Sequence, residues 1–150
     1  MELVFTEEQE ELRRAARAFL ADHSASEQVR AAMASDLGFD AGTWKRIATE
    51  LGWTGVAIPE QYGGAGLGFV ELVALLEEMG AALLCAPFLS SVCMAVPALL
   101  AAGECAAARE WLPAIAEGRS CATLAVAEAS GGFGAGDVAM VARRSGDGFV

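Results

Sequence analysis

One loop decides the fold of this chain, and it reads Ile58-Pro59-Glu60-Gln61-Tyr62-Gly63-Gly64-Ala65-Gly66. It lies between two amphipathic segments, where connecting loops are usually short. Pro59 fixes its own φ and favours an extended Ile58, while the three glycines can adopt the positive φ values that a Cβ penalises. The sequence therefore predicts a defined turn at this position.

Composition and charge limit the classes of protein to which the chain can belong. Its 150 residues, 55% of them hydrophobic, are ample for the core of one domain. The formal net charge of -10 argues against nucleic acid as a partner, because phosphate binding needs clustered Lys and Arg. The cysteines form no C-x-x-C pair and have no histidine at ligand spacing, so we expect buried thiols in a reducing cytoplasm, without metal. They are Cys85, Cys93, Cys105 and Cys121.

The interval from Met79 to Gly103 contains no charged residue and is long enough to cross a bilayer. Pro87 and Pro97 divide it into shorter pieces, and no basic flank marks either edge. The early charges of the amino terminus are unlike those of a signal peptide. We therefore expect a buried helical core and no membrane span.

Capping signals and apolar spacing predict helices over most of the chain up to Glu117. Thr6 and Gln9 form a capping box, Asp40 opens a second helix that stops at Gly52, and Gly66 to Gly68 leads into a third. On the third helix Glu71, Glu77 and Glu78 are expected outside. The residues expected to face the core are Leu12, Ala15, Ala16, Phe19, Leu20, Trp44, Ile47, Ala48, Leu51, Phe69, Leu72, Val73, Leu76 and Met79.

The segment from Pro87 to Ala102 is apolar on all sides, which predicts the central and most buried helix. Pro97 deprives the carbonyl of Cys93 of its usual donor, so a kink is expected there. The kink either opens a pocket or is a tolerated irregularity in a well-packed helix. Four side chains are predicted to be buried in the bundle, namely Trp44, Leu76, Leu83 and Leu99.

The pattern changes after residue 117. Ser120 to Ala127 and Val138 to Ala142 have strand-like composition, and Ser145-Gly146-Asp147-Gly148 is a hairpin turn candidate before a strand at Gly148 to Val150. We predict a helical domain at 1–117 and the incomplete start of a β-domain at 118–150. A strand pair cut short at this point suggests part of a longer protein.

The chain resembles a known family in the glycine-dense loop and in Trp44, Leu51-Gly52-Trp53-Thr54-Gly55 and Glu77-Glu78-Met79-Gly80. That family is the acyl-CoA dehydrogenase family of flavoenzymes. The resemblance runs from about Phe5 to the last residue. It implies a mainly α fold, the family's amino-terminal helical bundle followed by the opening strands of a β-domain. It also implies FAD as cofactor, an acyl-CoA substrate, an acceptor like electron-transfer flavoprotein, and a homo- or hetero-oligomer. In the family, the helix that corresponds to Pro87–Ala102 lines the slot for the acyl chain.

The stretch 124–134 corresponds to the family's flavin-contacting strand and loop. Glu128 and Gly132 match the family's pattern, whereas Ala127 replaces its threonine and Phe133 its serine. Backbone donors can still serve a flavin carbonyl, because they need no particular side chain; the alternative is a glycine-rich turn with no ligand. The resemblance assigns flavin contact to Leu124, Val126, Ala127, Gly132 and Phe133.

No catalytic residue is assigned, because the family's glutamate base lies in its carboxy-terminal helical domain. Glu60, Glu77, Glu78 and Glu128 are expected to be surface or capping residues, and His23 to be solvated or to satisfy a helix end. Two hypotheses remain open: an FAD-dependent acyl-CoA dehydrogenase, or a degenerate, non-catalytic partner subunit of a hetero-oligomeric one. A flavin-dependent oxidase or monooxygenase on the same scaffold is a third possibility.

Overall fold

The computed structural model describes residues 4–146 and 148–149. Its α-helices are α1 (Glu7–His23), α2 (Ser26–Ala34), α3 (Ala41–Thr49), α4 (Phe69–Ala81), α5 (Val96–Ala101) and α6 (Ala106–Ala116), and a π-helix over Leu89–Ala95 runs directly into α5. Short 3-10 turns lie at Trp53–Gly55, Glu60–Tyr62 and Ala135–Asp137. A hairpin is formed by β1 (Arg144–Ser145) and β2 (Gly148–Phe149). The prediction of a mainly α fold is confirmed.

The predicted helix boundaries follow from side chains that satisfy exposed backbone groups. The Thr6 hydroxyl accepts the Gln9 N–H at 3.3 Å, and the Gln9 side chain accepts the Thr6 N–H at 2.9 Å, which completes the capping box. Asp40 accepts the Thr43 N–H at 2.6 Å at the start of α3. Gly52 has φ 66, the left-handed conformation expected after that helix. Each such cap contributes about 1 kcal/mol to helix stability.

Two apolar clusters hold the helices together. The first joins α1, α3, α4 and the π-helix, and the second joins α5, α6 and the glycine-dense loop. Buried members of the first are Ala16, Leu20, Trp44, Ile47, Trp53, Val56, Leu72, Leu75, Met79, Phe88 and Val92. Those of the second are Ile58, Tyr62, Val96, Ala108, Leu112, Ile115 and Ala116.

The prediction that Glu78 lies on the surface was wrong. Only 6% of this residue is exposed, because α4 packs against α1 and its carboxylate meets two arginines of that helix. Arg17 donates to it twice, at 2.7 and 2.9 Å, and Arg13 lies 3.1 Å away. Hydrogen bonds from Arg17 hold the pKa of Glu78 below its ordinary value, although burial alone would raise it.

The buried face of α4 also differs from the predicted stripe. Phe69 and Val73 were expected in the core but are 66% and 46% exposed. The buried face is centred on Leu72, Leu75 and Met79 instead. Because α4 is apolar on most of its circumference, two different stripes satisfy the three-four spacing, and packing against α1 selects one of them.

The helix at residues 89–101 is covered over most of its length, because only Leu89 and Ala101 in it are exposed. Leu89 is 63% exposed, while Leu99 is half-buried against the second cluster. Leu83, also expected inside, is 70% exposed in the loop after α4. The α5 part of the helix packs against α6, and its π-helical part joins the first cluster through Val92. The helix changes from π to α type at Val96, one residue before Pro97, so the irregularity expected there takes the form of a change in helical pitch.

The carboxy-terminal part confirms one strand prediction and contradicts two. Ser145 pairs with Gly148 and Arg144 with Phe149, as the hairpin turn predicts; Asp147 and Val150 lie outside the described residues. The expected strands at 120–127 and 138–142 are irregular in structure, since a strand needs a neighbour to complete its ladder. Among residues 4–146 and 148–149, no helix has the length and apolar character needed to cross a bilayer.

Candidate functional site

The glycine-dense loop is a rigid turn that positions the end of α6. The Ile58 carbonyl accepts the Gly66 N–H at 2.9 Å, and the Gly55 carbonyl accepts the Ala65 N–H at 2.9 Å. Gly66 has positive φ, as predicted, but Gly64 is required for another reason: a Cβ there would overlap the Ile58 carbonyl oxygen. The loop thereby presents the buried Ile58 to α6.

Three contacts fix the chain where it leaves α6. The Thr54 hydroxyl, fully buried, donates to the Ala116 carbonyl at 2.6 Å. Gly118 has φ 68 and lies so close to Ala48 that any side chain would overlap it. The Ser120 N–H then donates to the Ala114 carbonyl at 3.1 Å. These contacts hold the chain against α3, the 3-10 turn at Trp53–Gly55 and α6 as far as Ser120.

A second anchor lies at Ala122, two residues after the hydrogen bond that attaches Ser120 to α6. The Ser91 hydroxyl accepts the Ala122 N–H at 3.0 Å and donates to the Ala122 carbonyl at 3.2 Å. Ser91 is fully buried and belongs to the π-helix. These two hydrogen bonds attach the segment after α6 to that helix.

The predicted flavin-contact residues follow this anchor along one surface segment. Leu124 is 43% exposed, Phe133 is 75% exposed, Ala127 is exposed, and Val126 and Gly132 are half-buried. The backbone N–H groups of residues 123–130 donate no hydrogen bond to any described residue. The segment therefore offers a row of available backbone donors, with apolar side chains beside them.

The far end of the segment is closed by two carboxylates. Glu128 accepts the Ala139 and Met140 N–H groups at 2.9 and 3.0 Å, so its carboxylate holds the irregular backbone that follows the last 3-10 turn. Asp137 accepts the Gly134 N–H at 2.9 Å and packs against Gly132, where any side chain would overlap it. The loop that carries Phe133 is thus held at both ends.

A groove of about 490 Å³ lies between α2, the end of α4 and the start of the π-helix. Leu83 stands at its edge with φ 52, a conformation that is uncommon for a residue with a Cβ. The groove reaches the Leu89 end of the helix, not Pro97, where a pocket was considered. It is lined by Val29, Met33, Leu76, Met79, Gly80, Leu83, Leu84, Cys85, Ala86, Phe88 and Leu89.

The charged side chains with a displaced pKa form hydrogen bonds or ion pairs that stabilise the fold. Among the residues that the structure describes, five carboxyl groups have a pKa below the ordinary value, and in each of them hydrogen bonds are the main cause. They are Glu8, Asp40, Glu71, Glu78 and Glu117. A general base works best with a pKa near the operating pH, so lowered values do not suit that role. His23 Nδ1 lies 2.8 Å from the Phe19 carbonyl at the end of α1, while Nε2 contacts Arg46.

The thiols are less buried than the sequence suggested. Cys121 is exposed, which contradicts the expectation, and Cys85, Cys93 and Cys105 are half-buried. Burial raises the pKa of the Cys93 thiol. Among residues 4–146 and 148–149, no group of three histidine, cysteine or acidic side chains has the arrangement of a metal site.

Comparison with known proteins gives a family match over most of the chain. The model of the family described as "Acyl-CoA dehydrogenase, N-terminal domain" matches residues 6–119. The chain is 38% identical over 119 residues to acyl-CoA dehydrogenase IpdE2 of Mycolicibacterium smegmatis, covering 79% of this chain and 37% of that protein. It is 30% identical over 148 residues to mitochondrial isovaleryl-CoA dehydrogenase of Bos taurus, covering 96% and 34%.

Solved structures give the same result. A variant of the Tcur3481–Tcur3483 steroid ACAD aligns with a TM-score of 0.76 and 38% identity over 95% of this chain and 38% of that one. The ChsE4–ChsE5 complex from Mycobacterium tuberculosis aligns with a TM-score of 0.83 and 26% identity over 99% and 39%. The chain therefore spans little more than a third of the length of these relatives.

Proposed function

The chain belongs to the acyl-CoA dehydrogenase family, and from that premise we propose that the protein takes part in FAD-dependent α,β-dehydrogenation of an acyl-CoA thioester. One observation carries the proposal. A single helical element contributes Leu89 to the apolar groove and Ser91 to the anchor of the segment with available backbone donors. Such a reaction needs one surface for an acyl chain and one for a flavin ring, and the same helix contacts both surfaces that we propose for them.

The groove suits the apolar part of the substrate. Its walls are formed by aliphatic, methionine and aromatic side chains from three helices, and its volume falls within the range of small-molecule sites. Methionines such as Met33 and Met79 adapt to differently shaped apolar ligands. We propose that the acyl chain lies against this wall. The resemblance to the family implied only which helix lines the acyl slot, whereas the groove identifies the side chains that would line it.

The segment 123–130 suits one edge of a flavin. Available N–H donors can meet the carbonyl and nitrogen acceptors of the ring, and Leu124, Val126 and Phe133 supply apolar surface around them. When bound, FAD would accept the hydride from the substrate. In this proposal the chain's own residues orient the ring and exclude water from one side, with Ala127 and Gly132 allowing close approach of the backbone.

A second candidate is a non-catalytic partner subunit. Ala127 and Phe133 stand where the resemblance expects hydroxyl side chains, and Phe133 is 75% exposed on the loop. The ChsE4–ChsE5 title describes a complex of two named chains, which makes hetero-oligomerisation a reasonable proposal here. We further propose that residues 118–150 begin a β-domain. An acceptor like electron-transfer flavoprotein and a cytoplasmic location are also proposals.

The test uses the protein expressed from its complete gene. Its absorbance spectrum shows bound flavin, and steady-state turnover of acyl-CoA substrates with an artificial acceptor shows dehydrogenation. Bound flavin and turnover support the enzyme, whereas a colourless subunit that activates a flavin-bearing partner supports the second candidate. A protein that neither binds flavin nor associates with a flavoprotein contradicts both.

A matched pair of variants tests the groove. Leu89→Glu places a charge on the groove wall, and Phe69→Glu changes an equally exposed side chain that is not among the groove-lining residues; the two are 63% and 66% exposed. Burying a charge against an acyl chain is strongly unfavourable. We expect KM for the acyl-CoA to rise by about tenfold or more in Leu89→Glu and to stay within about twofold in Phe69→Glu. Equal KM values would place the acyl chain elsewhere.

A further inference from the structure

Ser91 has an environment that ordinary core packing does not explain. It is fully buried, lies in the first turn of the π-helix and directs its hydroxyl to both backbone groups of one residue on another segment. Serine side chains commonly bond to backbone groups near them in the sequence. Here the hydroxyl instead pairs with the N–H and the carbonyl of the half-buried Ala122, and neither group has another partner among the described residues.

The π-helix gives Ser91 this position. Such helices are rare and occur often at functional sites. The element Leu89–Ala95 presents Leu89 to the groove and Ser91 to the segment after α6, two residues apart in the chain. A shift of this helix therefore moves the groove wall and the anchor together.

Ala122 is also the last fixed point before the row of available donors. Ser120 is bonded to α6, Ala122 to Ser91, and residues 123–130 donate to no described residue until the turn at Gly131. The Ala122 anchor thus sets the starting register and direction of that row. Without it, the segment between Ser120 and Glu128 has no hydrogen bond to the helices among the described residues.

We propose that Ser91 is a positioning residue that aligns the flavin-contacting segment with the acyl groove. The assignment rests on the function proposed above, and it adds a residue that touches neither the flavin nor the substrate. The Ser91 hydroxyl fixes where the backbone donors of 123–130 stand relative to Leu89. The flavin site therefore depends on a side chain some thirty positions away from it in the sequence.

Thr54 provides a matched control. Its hydroxyl is equally buried and also donates to a backbone carbonyl, that of Ala116, but it lies upstream of the two anchors at Ser120 and Ala122. Ser91→Ala and Thr54→Val are made in the protein expressed from its complete gene. FAD affinity, the flavin absorption spectrum and amide exchange at Ala122 are measured, with urea unfolding as the measure of stability.

We expect both variants to lose stability and only Ser91→Ala to change the flavin site. Its FAD dissociation constant should rise by about tenfold, the flavin bands should shift, and the Ala122 amide should exchange faster. Thr54→Val should keep its FAD dissociation constant within about twofold and its spectrum unchanged. If Ser91→Ala does not fold, Ser91→Cys keeps the shape of the side chain with a somewhat larger terminal atom and weakens both hydrogen bonds, and a smaller change in the same direction is expected.

Different failures have different meanings. A wild type that holds no FAD overturns the proposed flavin site and this assignment with it. A wild type that holds FAD, with unchanged affinity and spectrum in Ser91→Ala or Ser91→Cys, overturns the assignment alone. Equal losses of FAD affinity in the Ser91 and Thr54 variants also overturn it, because they would reflect general stability.

Discussion

At the scale of single residues, two glycines of this chain contrast, because the fold requires Gly64 and does not require Gly80. Gly64 lies against the Ile58 carbonyl oxygen, so Gly64→Ala forces the backbone of the loop apart. Gly80 lies in α4 with no atom within 4 Å of the position that a Cβ would occupy. We expect Gly64→Ala to destabilise the protein by more than about 2 kcal/mol and Gly80→Ala to stabilise it by about 0.5–1 kcal/mol.

Urea unfolding of the two variants checks this opposition. The wild type and Gly63→Ala are suitable controls, since Gly63 has φ 81 but nothing within 4 Å and reports the cost of the conformation alone. A loss in Gly64→Ala no greater than that in Gly63→Ala would show that the loop relaxes around a methyl group.

At the scale of helices, the pairing of α1 with α4 depends on a buried charge. Glu78→Gln leaves Arg13 and Arg17 without their carboxylate, and we expect a loss of about 1–3 kcal/mol at pH 7. Glu77→Gln is the control, because Glu77 is half exposed beside Arg13 and such pairs contribute about 0–1 kcal/mol. Equal losses, measured by denaturant unfolding, would contradict the role of burial.

The same pair predicts a pH dependence. The pKa of Glu78 is lower in the folded protein than its ordinary value of 4.5, so the folded state favours the carboxylate. Its contribution is fully present above about pH 5 and is lost as pH falls through the folded pKa. The stability difference between wild type and Glu78→Gln should therefore shrink progressively as pH falls below about 5. A difference that stays constant over this range would contradict the assignment.

Helix boundaries were predictable, whereas burial was predicted less well. Thr6, Asp40 and Gly52 act through neighbours within three residues, so the local sequence contains their whole environment. Glu78 and Leu83 depend on which helix lies opposite, and apolar spacing alone does not contain that information. The role of Ser91 has no signal in the local sequence, because its partner Ala122 is distant in the chain.

Leu112 and Leu99 test the revised core. Leu112 is fully buried in α6, whereas Leu99 is only half-buried in α5. Leu112→Ala should cost about 2–5 kcal/mol, and Leu99→Ala distinctly less than the full value expected for a central helix. Denaturant unfolding decides the order. A larger loss of stability in Leu99→Ala than in Leu112→Ala would show that α5, and not α6, lies at the centre of the second cluster.

At the scale of the whole molecule, large apolar side chains stay exposed on several faces of the described chain. Phe69, Val70, Leu83 and Leu89 are more than half exposed, as are Phe133 and Met140 on the segment after α6. Exposed apolar side chains mark a site of interaction where they adjoin one another, as Leu83 and Leu89 do along the groove. Because the chain spans little more than a third of its relatives, we expect the 150-residue chain alone to retain FAD poorly. Equilibrium dialysis that shows stoichiometric FAD retention would contradict this expectation.

The flavin-contacting segment itself gives the most direct test of the two proposed functions. In the protein expressed from its complete gene, Ala127→Thr with Phe133→Ser introduces hydroxyl groups at the two positions where the family's pattern has them. Two new hydrogen bonds, each of about 0.5–1.5 kcal/mol, together approach or exceed the 1.4 kcal/mol that corresponds to a tenfold change. A degenerate partner subunit should therefore gain FAD affinity by about tenfold or more, measured by flavin fluorescence titration.

The control is Val138→Ser, which replaces an exposed apolar side chain on the same segment outside the assigned contacts; 52% of Val138 is exposed. It should leave the FAD dissociation constant within about twofold of the wild type. If the wild type already binds FAD as tightly as the double variant, the site is not degenerate. Phe133 is then an apolar neighbour of a flavin held by backbone donors, and the catalytic proposal is the one that the protein supports.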